Sequence, residues 1–482
     1  MGVRRDLKRA KRRTDLAGRA GVETVRDARG VVREARTTAL APRLAAGSTA
    51  DIPFANAAEA PGAVDGEVPP PPRQNVFIKE LLRGSAVTTI LAFVAAMIVG
   101  GILIAFTDED VRAASVYFFA RPGDTLLAIW NSVYGGYEAL FRGSIFNARA
   151  NDFATQIRPL TNTLGFAAPL IAAGLGVALA FRVGLFNIGG RGQMLIAAAT
   201  AGLVTFQLDL PMFIQLPLTL AAGIAGGAVW GGVVGLLKAR TGAHEVILTI
   251  MLNYVALYFV MWLVRTPGLL QQSNSNQPIS NPTPSNAQFP DLFGPRFPLL
   301  DWGFVIVIGA TVFVWWLIER SSLGFRLRAV GENPHAARAA GVSVSRMYIY
   351  AMLFAGGLSG LAAMNQIQGS VVTGFDAYID AGIGFDAITV ALLGRSRAWG
   401  TFAAGILFGA LKAGSFTMQA SQGIPVDIVL VVQSLIVLFI AAPPLVRAIF
   451  FLPKTDAEKA AKARAKAAKR PAEPANEKAV SS

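Results

Sequence analysis

ERSSLGFRLRAVGENPHAARAAGVSVSR, residues 319–346, is a basic, glycine-punctuated island between two long apolar runs, 302–318 and 347–367. Runs of that length and apolarity suit helices that cross a bilayer, where each backbone polar group must be satisfied within its own segment. The island therefore reads as a loop between two membrane spans, and the chain as a polytopic helical protein. Within the island the punctuation is that of a helix. Asn333 can cap it, Pro334 suits its first position, 335–340 follow, and Gly341 can close it in a left-handed conformation. A helix of barely two turns is unstable alone in water, so it must lean on spans below or a protein above. Two readings stay open here: a docking surface, or an ordinary loop whose arginines obey the positive-inside rule.

Composition agrees with the membrane reading. The 482 residues are 53% hydrophobic and 15% charged, with 49 glycines and no cysteine. A soluble chain of this length needs more charge to cover its surface, whereas lipid accepts Leu, Ile, Val, Phe and Ala directly. Without cysteine there are no disulfides, thiolate nucleophiles or cysteine-ligated metals. The net charge of +14 sits in two tails and in short loops between apolar runs. That pattern fits membrane topology better than a nucleic-acid partner, and lipid is the surrounding medium.

Residues 1–75 mix Arg-rich runs such as Arg4, Arg5, Lys8 and Arg9 with a proline run at 69–72, and read as a disordered cytosolic tail. No apolar core with a small-residue cleavage site follows the basic run before Ala86, so a secretory signal is not expected. Attraction of residues 4–36 to an anionic leaflet is a second reading of that tail. Residues 452–482, rich in Ala and Lys, form a similar low-complexity tail.

Between the tails, 76–451 is expected to be one all-α domain of about ten spans. Apolar windows fall at 86–106, 159–181, 185–206, 217–237 and 244–264, then at 302–318, 347–367, 382–393, 401–418 and 426–446. The eighth is too short to cross as a straight helix unless 378–381 joins it. With a cytosolic N-terminus every second connection is basic: Arg182, Lys238 with Arg240, the island, Arg395 with Arg397, and Arg447 with Lys454. Asp108 to Asp110, Asp209, a polar run at 271–286 and Asp376 to Asp380 then fall outside. Trp130, Tyr134, Tyr137, Phe141 and Phe146 predict an amphipathic helix on the outer leaflet, and 271–286 a flexible external loop.

Inside the spans, glycines recur every four residues at 223, 227, 231 and 235, at 356 and 360, and at 405 and 409, a pattern for close helix packing. Two stretches break helical character at the mouth of a span: GLFNIGGRGQ at 184–193 and AGIGFD at 381–386. Paired breaks in two inverted halves point to a transport path, for which Asn187, Gln193, Asn253 and Asp386 are the candidates. Asn253 reads equally as interhelical glue, and Asn365, Gln366 and Gln368 as a vestibule or as interfacial solvation.

Chemistry-bearing motifs are missing. His244-Glu245 opens like a zinc motif, but Leu248 stands where the second His is needed, so neither a metal site nor a catalytic residue is expected. No G-x-x-x-x-G-K-[ST] loop occurs, and the spans lack the chain of Asp, Glu or Lys of a proton-coupled pump.

Four blocks now carry a likeness: GLFNIGGRGQ (184–193), HEVILTIMLNY (244–254), GFRLRAVGENPHAARAAGV (324–342) and GFDAITVALLGRSRAWG (384–400). Across 76–451 the chain resembles the permease subunits of bacterial ABC importers of the branched-chain amino acid and ribose type, nearest the nucleoside-uptake branch. The resemblance implies a multi-pass permease with an inverted repeat in the bacterial cytoplasmic membrane, both termini cytosolic. It implies a second, dissimilar permease, a cytosolic ATPase holding ATP and Mg, and an extracytoplasmic substrate-binding lipoprotein, with no cofactor on this chain. Residues 324–342 become the coupling region, with Arg326, Arg328, Gly331, Glu332, Asn333, Pro334, Ala336, Ala337 and Gly341 facing the ATPase. Nucleosides or purines suit the branch, and simple sugars are the alternative. Rivals from other classes are an independent secondary transporter or channel and an intramembrane enzyme. One departure stands out: Arg191 occupies a place where such permeases usually carry an acidic residue.

Overall fold

Fifteen helices make up the described part of the chain, which in this computed structural model comprises residues 85–451 except 274 and 298. The two expected tails, 1–75 and 452–482, lie outside the described residues. In chain order the helices are α1 (Ser85–Thr107), α2 (Glu109–Ser115), α3 (Pro122–Ser144), α4 (Phe153–Arg182), α5 (Gly190–Gln207), α6 (Met212–Thr241) and α7 (Glu245–Leu263). After a long connection come α8 (Trp302–Arg320), α9 (Ser322–Glu332), α10 (Pro334–Ala339) and α11 (Val344–Met364), which continues as a π-helical turn at Asn365–Ser370. The chain ends in α12 (Ile383–Leu393), α13 (Ala398–Gln422), α14 (Val426–Ala441) and α15 (Pro443–Ile449).

Seven of these are long and apolar enough to cross a membrane: α1, α4, α6, α7, α8, α11 with its π turn, and α13. The other three expected spans are α5 and two shorter apolar helices, α12 and α14. α4 and α11 stand at the centre, with 78% and 72% of their apolar windows buried against 33% for α7. α4 packs on α13 and α12, and α11 packs on α6 and α5. Taking α4 to α7 as one half and α11 to α14 as the other, each half's first helix is embraced by the other half's second and third. Second and seventh spans run in opposite directions, so this exchange is the contact pattern of an inverted repeat.

Small residues explain the closeness. Lipid gives apolar side chains no reason to seek each other, so spans associate where their backbones can approach. The glycine ladders predicted from spacing prove to be partners. A Cβ on Gly227 would lie 2.4 Å from the Gly356 carbonyl, and one on Gly356 would lie 2.2 Å from that of Gly227. Gly231 meets the Met352 carbonyl and Gly360 that of Gly223 in the same way. In the second half Gly405 closes on Ile171 and Gly409 on the Thr163 carbonyl, joining α13 to α4.

One open reading is resolved, one is refined and one is corrected. The eighth span does not extend through 378–381. Ala381 and Gly382 both take positive φ there, 44° and 81°, so the chain turns and α12 begins inside the bundle, its 11 residues covering only half a bilayer. α3, expected as an amphipathic helix on the outer leaflet, exposes Trp130, Tyr134 and Phe141 and also packs on other helices. Gly143 packs on Gly414 and Thr417, Gly135 on Gln422, and the Tyr137 hydroxyl donates to the Met97 carbonyl of α1. The polar run at 271–286 is not a free loop. Ser280 N donates to the Phe375 carbonyl at 2.8 Å, Thr283 N to that of Val372 at 2.8 Å, and Gln368 Nε2 to that of Ala287 at 2.7 Å. The reason is local: the non-helical stretch 371–375 runs inward from exposed Thr373 to buried Gly374 and Phe375, where unpaired peptide groups are costly, and the folded-back connection supplies partners for the Val372 and Phe375 carbonyls and for Phe375 N.

Candidate functional site

Both sequence breaks become points where the chain enters the bundle without helix, and they meet. Residues 184–189 lead to the N-terminus of α5, and 371–382 lead to that of α12. A Cβ on Gly190 would lie 3.0 Å from the Gly384 carbonyl, and one on Gly384 would lie 2.4 Å from the Arg191 amide. Two helix N-termini, each the positive end of its dipole, thus converge at Gly190 and Gly384. Arg191 stands between them. Its Nε lies 3.3 Å from Asp380 Oδ1 and its guanidinium 5.7 Å from the Tyr378 ring centre. Asp380, assigned to the external side by the charge pattern, is only 3% exposed. A buried carboxylate needs a cation, and Arg191 supplies one across the junction.

The three candidate amides lie behind this junction, and each has internal partners. Asn187 and Gln193 bond each other through both side-chain ends at 3.2 Å, Asn187 Oδ1 accepts from Gly189 N, and Ser359 Oγ donates to Gln193 Oε1 at 3.0 Å. Asn253 Oδ1 accepts from Gly192 N and its Nδ2 donates to the Ile188 carbonyl, both at 2.9 Å. Glu245 anchors the approach, bonding Lys238 Nζ at 2.7 Å and accepting from Phe186 N at 3.4 Å. These bonds satisfy the amides of a broken helix start within apolar surroundings, which fixes its shape.

Asp386, the fourth candidate, faces open space. It lines a cavity of about 360 Å³ between α4, α12, α13 and α14, together with Lys412, Ser415, Gln433, Phe385, Phe408 and Phe416. Lys412 escaped the sequence reading, which looked for a chain of such charges and found none. A lone lysine in the apolar run 401–418 was itself the signal, because a charge inside a membrane span is expensive and rarely idle. Opposite charges, an amide, a hydroxyl and three aromatic rings around one space can hold a small polar solute with a flat apolar face.

At the far end of α4 lies the island. Asn333 caps α10 as expected, accepting from His335 N at 2.9 Å and Ala336 N at 3.0 Å, and Gly341 has φ 84°. Arg326, Glu332, Ala336 and Gly341 are exposed, Pro334 is half-buried, and Ala337 turns inward. Gly331 is a contact rather than an outward group: a Cβ there would lie 2.1 Å from the Arg182 carbonyl at the end of α4. Arg328 Nη1 bonds Glu319 Oε2 at 2.9 Å, Arg182 Nη2 bonds Glu319 Oε1 at 3.1 Å, and Arg182 Nε donates to the Ser396 carbonyl at 3.0 Å. The α9–α10 wedge is thus fastened to the central helix and to the α12–α13 turn. Neither Arg182 nor Ser396 is near Glu319 in sequence, so this clasp was not legible there.

The family profile described as "Branched-chain amino acid transport system / permease component" matches residues 160–441. The chain belongs to this permease family. The permease is 37% identical over 319 residues to the guanosine ABC transporter permease of Bacillus subtilis, covering 66% of this chain and 88% of that one. It is 34% identical over 368 residues to the nucleoside ABC transporter permease of Lactococcus lactis, covering 73% and 94%. It is also 32% identical over 362 residues to the glucose ABC transporter permease of Haloferax volcanii, covering 73% and 86%. No solved structure matches the permease.

Proposed function

We propose that this permease is the membrane subunit of an ATP-driven importer of nucleosides, with the α9–α10 wedge as the element that receives force from a cytosolic ATPase. The observation that carries this reading is the seating of the wedge on the end of α4, through Gly331 and the Glu319 clasp. Closure of an ATPase pair would press α10, tilt α4 and so act on the cavity that Leu170 of α4 helps to line. ATP and Mg belong to that partner, and this chain contributes no bond chemistry. The wedge then faces the cytosol of a bacterium, as do both termini, and the junction of α5 and α12 gates the path. A second permease completes the path, and an extracytoplasmic binding protein delivers the solute.

Nucleosides are favoured because the guanosine and nucleoside permeases match at 37% and 34% identity along most of their lengths. Three phenylalanines beside Asp386 and Gln433 suit a planar base with N–H donors. The glucose permease at 32% identity supports sugars as the second reading. Uptake of labelled guanosine and glucose by cells with and without this chain decides between them. Guanosine uptake that depends on the chain supports the first reading, and glucose uptake alone supports the second.

A further inference from the structure

A cleft of about 890 Å³ opens where α4, α8 and the start of α13 reach the α10 side of the bundle. Its inner wall is apolar, formed by Leu179, Val314 and Ile318 of membrane-spanning helices. Its rim is basic and aromatic: Arg182, Arg320 and Arg397, with Trp315 and Trp399. The one acid on the rim, Glu319, is already taken by Arg182 and Arg328. Among the described residues Arg320 and Arg397 form no ion pair. Arg320 instead lies over the Trp315 ring, 5.7 Å from its centre. Arg397 is the N-cap of α13 and makes no side-chain cap bond, so first-turn amides of a 25-residue helix add to the positive field of the two arginines.

We infer that this cleft holds the phosphate of an anionic phospholipid from the leaflet on the α10 side. Two exposed arginines without acidic partners leave a positive field that attracts an anion, and the apolar wall beside them suits an anion with hydrocarbon attached. A tryptophan pair at the level where spans leave the hydrocarbon is the usual seat of a headgroup boundary. Trp399 on the rim is 48% exposed and Trp316, next to Trp315 on α8, 51%, so the rim opens to the outside of the bundle. Arg320 and Arg397 bind the phosphate, Leu179 and Val314 meet the first methylenes, and Glu319 stays with its arginines. The inference rests on the membrane reading of the fold and not on the solute or the ATPase.

The test is native mass spectrometry of the full-length chain in detergent, titrated with phosphatidylglycerol or phosphatidylcholine. Wild type is expected to retain phosphatidylglycerol in preference, and Arg320→Gln with Arg397→Gln to weaken that retention roughly tenfold or more. Arg320→Lys with Arg397→Lys keeps the charge and should restore most of it, which separates lost binding from lost folding. Unchanged retention in the Gln variant, or equal retention of phosphatidylcholine, overturns the inference. So does displacement of the lipid by inorganic phosphate, which assigns the cleft to a free anion. A Gln variant that keeps the lipid but sheds a co-purifying P-loop ATPase overturns it too, and assigns the cleft to that protein.

Discussion

Gly341 has open space where a Cβ would sit, so substitution there acts through its φ of 84° and not through collision. Gly341→Val is expected to strain the end of α10 by about 1–2 kcal/mol, enough to disturb a helix of 6 residues. Uptake should fall sharply and an ATPase partner should be lost on purification, while the melting temperature of the bundle moves little. Asn333→Ala removes a cap worth about 1 kcal/mol, and Asn333→Asp should keep it. Asp301 offers a pH test. It lies just ahead of α8, caps that helix through Gly303 N at 2.8 Å, and burial pushes its carboxyl from 3.8 up to about 7 despite that bond. A raised value means the folded state favours the protonated form, so this contribution is full below the ordinary value and is lost as pH rises through about 7. Thermal stability in detergent should therefore fall from about pH 4 to about pH 7 in wild type, and less in Asp301→Asn. The cap of α10 was legible because it is written in consecutive residues. The pairing of Arg191 with Asp380 was not, since nothing local marks two residues so far apart.

Among elements, the glycine spacing announced close packing, but only coordinates reveal that the two ladders of α6 and α11 face each other. Gly227→Val should fail to fold, as its side chain would meet the Gly356 carbonyl, and expression in the membrane fraction measures that. The two broken helix starts were legible from glycine and polar residues inside apolar runs. Their meeting was not. Arg191→Ala leaves Asp380 buried without a cation and should cost roughly 3–5 kcal/mol in unfolding measurements. Arg191→Asp with Asp380→Arg should recover part of that loss if the junction holds the pair in isolation. The run 271–286 was misread because Gln, Ser, Asn and Pro favour loops; its order comes from the Val372 and Phe375 carbonyls, which its own sequence cannot display.

At the scale of the molecule, a central pair of helices ties a surface wedge at one end to a charged cavity within the bundle. Apolar runs foretold where the helices lie, because membrane insertion depends on composition over whole segments, although only seven of the ten expected are long and apolar enough to cross. They could not foretell which helices are central, because every span is apolar and burial within the bundle follows packing. The central claim is that force on the α10 wedge, supplied by ATP hydrolysis in a partner, moves nucleoside through this permease. The direct measurement is labelled guanosine uptake in proteoliposomes holding the assembled complex, with and without ATP, for wild type and Gly341→Val. ATP-dependent uptake by wild type that is lost in Gly341→Val, with the complex's binding protein still holding guanosine, is the predicted result. Equal uptake without ATP, or by this chain alone, would contradict it.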